Sequence, residues 1–214
     1  DLKYAPTNCA SSFRALHESI INYGENKSPE YISCMHEESG VGMAHGYFKA
    51  SGKMLMTMVH GTVGLQHATM AIYNAYCDRV PVYIVLGNIL DVNYRRGNAE
   101  WVHSVQDCAA MVRDYTKWDN QPGSPAAATE AVMRGWQIAQ TAPKGPVYIN
   151  LDVAMQEEKL GPMPALPDPA RHTPPQPHDT ACRRSDKAVG SGALKGQGSF
   201  QSRLCVFSRA IAHP

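Results

Sequence analysis

Residues 54–88 read MLMTMVHGTVGLQHATMAIYNAYCDRVPVYIVLGN, in which two apolar runs enclose a segment with helical periodicity. The runs at 54–59 and 81–86 have the length and composition of buried strands. Between them, residues 65–77 place apolar side chains at helical spacing. A strand, a helix and a second strand in succession typically form a parallel pair joined by a right-handed crossover. This stretch therefore predicts an α/β fold with a parallel sheet.

The same alternation continues on both sides of that stretch. Helical spacing covers residues 11–23, 38–50, 104–113 and 124–141, and strand-like runs cover 31–35 and 147–151. Apolar strands that alternate with helices predict a parallel sheet with helices on both faces. In such folds functional side chains collect at the carboxyl ends of the strands. These ends are predicted at 35–40, 60–64 and 86–88.

Composition divides the chain into two parts. The 214 residues are 43% hydrophobic and 18% charged, with a formal net charge of +1, which argues against broad attraction to nucleic acid. Residues 1–161 contain 13 Lys and Arg against 16 Asp and Glu, whereas residues 162–214 contain 7 against 3 and 8 of the 15 prolines. We predict a folded domain at 1–160, an extended Pro-rich linker at 161–178 and an irregular tail at 179–214.

The remaining composition excludes several classes of protein. No run of about 18 apolar residues is present, which excludes a membrane-spanning helix. The six cysteines include no C-x-x-C pair, so neither a zinc ribbon nor a disulfide framework is indicated. With no signal-peptide pattern, the expected location is a reducing cytoplasm.

The segment His36-Glu37-Glu38-Ser39-Gly40 lies at a predicted strand-to-helix junction. A zinc-protease helix would need a second histidine at position 40, which is glycine, so no metal site is predicted. Acidic residues also favour a helix N-terminus through the helix dipole, and Glu38 fits that interpretation. Glu37 stands where this fold class places reactive groups, which makes it a candidate functional residue.

A second candidate site is the turn His60-Gly61-Thr62-Val63-Gly64, between a buried strand and a helix. Such a turn can hold phosphate on backbone N–H groups, or it can reflect packing geometry alone. His45 and His67 are interpreted as structural or exposed rather than as ligands. Gly40, Gly42 and Gly46 within one helix each cost about 1 kcal/mol relative to alanine, so we expect another element to approach that helix closely.

Residues 30–88 together resemble the pyrimidine-binding domain of thiamine diphosphate-dependent enzymes, above all the acetolactate synthase, benzoylformate decarboxylase and oxalyl-CoA decarboxylase group. The resemblance extends from about Tyr4 to Leu151 and includes the 103–107 segment HSVQD. The residues that match the family pattern are His36, Glu37, Gly46, Tyr47, Lys49, Ser51, Gly52, Gly61, Gly64, Asn74, Ala75, Asp78, Pro81, Val82 and Gly87.

This resemblance implies a cofactor, thiamine diphosphate, and a role for each matching site residue. Glu37 would hydrogen-bond the ring nitrogen of the aminopyrimidine and favour the imino tautomer, which promotes deprotonation of the thiazolium carbon. The cofactor pocket would be lined near the pyrimidine by His60, Gly61, Thr62, Val63 and Gly64. Gln106 would lie near a subunit contact.

The family also implies parts that this chain does not contain. In the family, a separate domain holds the diphosphate and its Mg2+ through a Gly-Asp-Gly segment, and that tripeptide does not occur here. The strand expected before Tyr4 and the middle domain are also missing. The active site of the family is shared between subunits, as a homodimer or tetramer. We therefore expect this chain alone to bind the cofactor poorly and to show no turnover.

Two functional hypotheses follow. The first is a truncated lyase or transferase chain, the N-terminal cofactor-binding domain of a carboligase or decarboxylase that acts on a 2-keto acid or a related acyl substrate. The second is a noncatalytic standalone domain that associates with a partner through the dimer surface of the family. For the tail from about residue 179, an out-of-frame extension and a genuine disordered segment both remain open.

Overall fold

The computed structural model describes residues 2–89, 104–159 and 165–175. The strands in these ranges are β1 (Tyr4–Thr7), β2 (Glu30–Ser33), β3 (Met56–Val59), β4 (Tyr83–Asn88), β5 (Asp119–Asn120) and β6 (Val147–Asp152). The α-helices are α1 (Arg14–Glu18), α2 (Glu37–Ser51), α3 (Thr62–Cys77), α4 (Pro125–Gln140) and α5 (Val153–Glu157). None of the helices within these ranges has the length and hydropathy needed to cross a bilayer.

All strand pairs in the described residues are parallel. β3, β4, β6 and β5 form a four-stranded sheet in that order, and β1 pairs with β2 in a two-stranded sheet. α3 connects β3 to β4 along the chain, and the two strands pair in parallel, as predicted from residues 54–88. The α/β fold class is confirmed.

Helices cover both faces of the central strands, and alternate residues face opposite sides. Ile84, Leu86 and Tyr148 are fully buried in one cluster with Leu65 and Ala68 of α3. The alternate residues of β4 and β6 face a second cluster, which also contains residues of α4 and of the first helical segment, 11–23. The members of this cluster include Tyr83, Val85, Val147, Ile149, Ala131, Ala139, Phe13 and Ile20. Burial on both faces is the reason these strands read as continuous apolar runs.

The two sheets meet at β1 and β3 through side chains. The Thr57 hydroxyl donates to the Pro6 carbonyl at 2.6 Å, and the Met58 N–H donates to Thr7 Oγ1 at 3.3 Å. The N–H and C=O groups of one strand residue point to the same side. Pro6 therefore faces β3 where it has no N–H to donate, which interrupts the ladder between the sheets.

Several elements differ from the sequence-based predictions. β1 and β5 were not predicted, because β1 contains a proline and β5 has only two residues. The helix predicted at 104–113 is instead two 3₁₀ turns, Cys108–Met111 and Arg113–Tyr115. The predicted 161–178 linker is described only at 165–175, where Pro169–His172 forms a 3₁₀ turn capped by the Asp168 side chain rather than extended chain. The predicted tail, 179–214, lies outside the described residues.

A close approach to the three glycines of α2 was predicted, and the structure shows it at one of them. A Cβ atom on Gly40 would lie 3.0 Å from the Pro6 carbonyl oxygen and 3.1 Å from Thr57 Oγ1, so β1 and β3 do approach this helix closely. Gly42 and Gly46 are exposed, and a Cβ atom on either would have no described neighbour within 4 Å. Within the described residues of this chain, nothing approaches these two glycines closely.

Gly87 sets the position of the first helical segment. A Cβ atom on this residue would lie 1.9 Å from the Ser12 carbonyl oxygen and 2.7 Å from the Phe13 nitrogen. The backbone after β1 therefore passes directly over the end of β4, and only a residue without a side chain can occupy position 87.

We predict that Gly87→Ala lowers the free energy of unfolding of the 214-residue chain by at least about 1–3 kcal/mol, because the new methyl group meets backbone that cannot rotate away. The matched control is Gly42→Ala on the exposed face of α2, which should raise it by about 0.5–1 kcal/mol. Urea titration followed by circular dichroism measures both, and equal midpoints for the two variants would contradict the prediction.

Candidate functional site

Glu37 occupies the first position of α2, at the carboxyl end of the two-stranded sheet. The preceding residue, His36, caps the helix, since its Nδ1 accepts a hydrogen bond from the Glu38 N–H at 3.2 Å. Glu37 is only 4% exposed, whereas Glu38 is exposed. The two adjacent carboxylates therefore differ in environment, and Glu37 is the one held inside the protein.

The beginning of α3 lies against the Glu37 carboxylate. A Cβ atom on Gly64 would lie 2.8 Å from Glu37 Oε1 and 2.9 Å from His60 Cβ. Glycine at position 64 thus leaves the space that the carboxylate fills. The N-termini of α2 and α3 both place partial positive charge beside this group.

His67 completes a cluster that the sequence did not indicate. Its Nδ1 lies 3.4 Å from Glu37 Oε2, and its ring stacks on that of His36 with centroids 4.7 Å apart and an interplanar angle of 19°. The side chain of His67 is 55% exposed, as expected, but it contacts the candidate residue directly. His67 follows Gly64 by three residues, so both lie on the same face of α3. This spacing is the sequence signal that could have predicted the contact between His67 and Glu37.

Ser12 is a second residue that sequence reasoning missed as part of the site. Its Oγ lies 2.7 Å from His60 Nδ1 and accepts a hydrogen bond from the Gly61 N–H at 3.2 Å. Ser12 is 1% exposed, and its backbone is the segment that packs over Gly87. The sequence placed Ser12 only within a predicted helical segment at 11–23, whereas the structure uses its hydroxyl to hold the turn after β3.

The other predicted site residues fall into two groups. Thr62 and Val63 form the first turn of α3 and are half-buried beside Gly61 and Gly64. Gln106 is exposed and makes no hydrogen bond to the Glu37 cluster within the described residues. The structure therefore brings residues 37 and 60–64 together but does not place Gln106 in contact with them. His103, which belongs to the same 103–107 segment as Gln106, lies outside the described ranges.

At their other ends, α2 and α3 are joined by charged side chains. Lys49 Nζ donates to Asp78 Oδ2 at 2.7 Å, and His45 Nε2 lies 2.9 Å from the same oxygen. Hydrogen bonds from Lys49 and then His45 lower the pKa of Asp78. His45 thus serves as a structural side chain, in agreement with its interpretation from the sequence.

A separate polar cavity of about 180 Å³ lies beside β5 and β6 and contains none of the predicted site residues. Within it, Arg113 bridges Asp107 and Asp119 with hydrogen bonds of 2.9 and 3.1 Å. The lining residues are Asp107, Ala109, Arg113, Asp119, Asn120, Gln121, Tyr148 and Asn150.

The part of the chain that contains the Glu37 cluster matches a known family. Residues 11–109 match the model of the N-terminal TPP (thiamine pyrophosphate, or diphosphate) binding domain of thiamine pyrophosphate enzymes. This segment belongs to that family. The match contains Glu37 and the 60–64 turn, so the family recognised from the sequence is confirmed.

Similar proteins carry names from the same family. The chain is 27% identical over 139 residues to benzoylformate decarboxylase of Pseudomonas aeruginosa, covering 61% of this chain and 26% of that protein. It is 26% identical over 136 residues to the acetolactate synthase large subunit of Lactococcus lactis, covering 64% and 22%. The structure of benzoylformate decarboxylase from Polynucleobacter necessarius matches with a TM-score of 0.69 at 19% identity, covering 87% of this chain and 33% of that chain.

The part of this chain that matches its relatives thus corresponds to a minor part of their length. The chain spans about a quarter of the length of these two curated proteins. The structural match, at less than 25% identity, establishes the fold alone.

We predict that Gly64→Ala lowers the free energy of unfolding by about 1–3 kcal/mol, because the methyl group overlaps the Glu37 carboxylate and His60 Cβ. Part of this loss should be recovered in the Glu37→Ala background, which removes one of the two overlapping groups. A double-mutant cycle measured by urea titration gives the coupling. The prediction would be contradicted by strictly additive effects, or by a free energy of unfolding in Gly64→Ala as high as that of Gly46→Ala on the exposed face of α2.

Proposed function

We propose that this chain supplies the pyrimidine-binding part of a thiamine diphosphate-dependent carboligase or decarboxylase that acts on a 2-keto acid or a related acyl substrate. In this proposal Glu37 hydrogen-bonds the ring nitrogen of the aminopyrimidine. The supporting observation is the Glu37 carboxylate, which is buried at the carboxyl end of parallel strands against the N-terminus of a second helix.

The residues around Glu37 fit an aminopyrimidine. A carboxyl group buried at 4% exposure offers one directional hydrogen bond to a heteroaromatic nitrogen, as pockets for planar ligands require. Gly61 and Gly64 keep side chains out of the turn beside it. The partly exposed Thr62 and Val63 then supply the adjacent pocket wall.

The cofactor, when bound, supplies the carbon nucleophile, while this chain supplies orientation and one proton-sharing group. Glu37 holds or shares a proton at its carboxylate, and its burial keeps that hydrogen bond away from water. The Ser12 hydroxyl fixes the ring of His60 and the start of α3. In this proposal His60 would then lie at the edge of the cofactor pocket.

The rest of the active site belongs, in this proposal, to protein beyond this chain. A further domain would bind the diphosphate through Mg2+, and a second subunit would complete the site in a homodimer or tetramer. Gln106 would lie at that subunit contact, which agrees with its exposure. The proposal keeps the cytoplasmic location, and Cys9, Cys34, Cys77 and Cys108 are free thiols. This chain by itself would not turn over substrate.

The test is Glu37→Gln in a longer polypeptide that carries the diphosphate-binding domain. We expect kcat to fall by about 100-fold or more, the typical contribution of a positioned acid–base group, because the amide cannot share the proton. Glu38→Gln, a change of the same chemistry at the adjacent exposed position, should leave kcat within a factor of about two. Near-normal activity of Glu37→Gln would refute the assignment.

The second hypothesis, a noncatalytic domain that binds a partner, is favoured by one observation. Met43 of α2 and Met70 and Tyr73 of α3 are exposed at 42%, 58% and 46%, an apolar set on adjacent helices. Sedimentation of the 214-residue chain with and without thiamine diphosphate and Mg2+ separates the hypotheses. Stable dimers that bind no cofactor, even with a diphosphate-binding domain supplied, would favour the second over the first.

A further inference from the structure

The Glu37 cluster has the composition of a metal site. One ligand atom from each of His36, Glu37 and His67 lies within 4.8 Å of the other two. The residues come from two helices, since His36 and Glu37 begin α2 and His67 lies in the second turn of α3. The zinc-protease motif fails at position 40 in the sequence, but the fold brings in a second histidine from another helix.

The donor set selects a particular class of metal. Two imidazoles and one carboxylate suit Zn2+ and its transition-metal neighbours, whereas Mg2+ and Ca2+ take oxygen ligands. Three protein ligands would leave a fourth position open to water. The carboxylate also balances part of the charge of the ion, and because Glu37 is buried that attraction is only weakly screened.

The distances are close to those that a zinc ion requires. Ligand atoms about 2.1 Å from a tetrahedral ion are separated by about 3.4 Å, and His67 Nδ1 already lies 3.4 Å from Glu37 Oε2. The wider separations, up to 4.8 Å, must close by as much as about 1.4 Å. His67, with 55% of its side chain exposed, has room for that rotation.

Metal binding has one identifiable cost. His36 Nδ1 accepts the Glu38 N–H, which leaves the proton on Nε2. Coordination through Nδ1 replaces this hydrogen bond, and coordination through Nε2 moves the proton to Nδ1 and breaks it. The loss of one helix cap is small compared with the free energy that zinc gains from its protein ligands.

We propose that His36, Glu37 and His67 form a binding site for Zn2+ on this chain. The site uses the carboxylate that the proposed function assigns to the aminopyrimidine. Zinc and the cofactor then exclude each other at Glu37, a consequence that rests on the proposed function. The zinc site itself does not depend on that function.

The experiment is a zinc titration of the full 214-residue chain in competition with a chromogenic chelator. We expect saturable binding of one zinc ion that involves His67. His67→Ala should weaken this binding about tenfold or more, because changes to outer-shell partners already cost 10- to 100-fold. Glu37→Gln should weaken it as well, since it removes the anionic ligand but keeps the shape of the side chain.

His45→Ala is the matched control, because His45 lies on α2 and contacts Asp78 rather than Glu37. It should bind zinc as the unsubstituted chain does, and circular dichroism verifies that each variant is folded. Absence of saturable zinc binding, or equal affinity in the chain and in His67→Ala, would overturn the inference. Neither result bears on the proposed function, because that function is tested separately by the kcat of Glu37→Gln in the longer polypeptide.

Discussion

The close approach of α3 to the Glu37 carboxylate is the constraint around which the candidate site is organised. Position 64 has no space for a Cβ atom, because the carboxylate and His60 occupy it. The absent side chain allows the N-termini of two helices to converge on one buried acidic group. Burial of a carboxyl group is costly without partners, and here the partners are His67 and the two helix ends.

A second close contact holds the other side of the same site. The backbone at Ser12 passes over Gly87 at the end of β4, and this places the Ser12 hydroxyl between His60 and the Gly61 N–H. Two glycines on different elements, Gly64 and Gly87, thus leave the space for the contacts that hold the turn after β3. Parallel strands end at one edge of the sheet, which is why these contacts and Glu37 lie near each other.

The sequence predicted the central strands and long helices well, because their apolar periodicity is strong and local. Residues 54–59, 81–86 and 147–151 overlap β3, β4 and β6, and the helix predicted at 124–141 overlaps α4, with Ser124 as its cap. Short elements were missed, since β1 and β5 owe their structure to neighbouring strands rather than to their own composition. The sequence also did not separate Gly40, which β1 and β3 approach, from Gly42 and Gly46, which no described residue approaches, because glycine has no side chain whose polarity would indicate the buried face of a helix.

The sequence by itself determined the α/β class, the family and the prominence of Glu37, because each depends on residue order and local pattern. Only the tertiary structure decided which side chains share the site with it. Ser12 lies 48 residues before His60, and His67 lies 30 residues after Glu37, so each pair meets only when parallel strands bring their loops to one edge. Contacts between residues distant in sequence have no periodic signal, so their chemistry becomes visible only after folding.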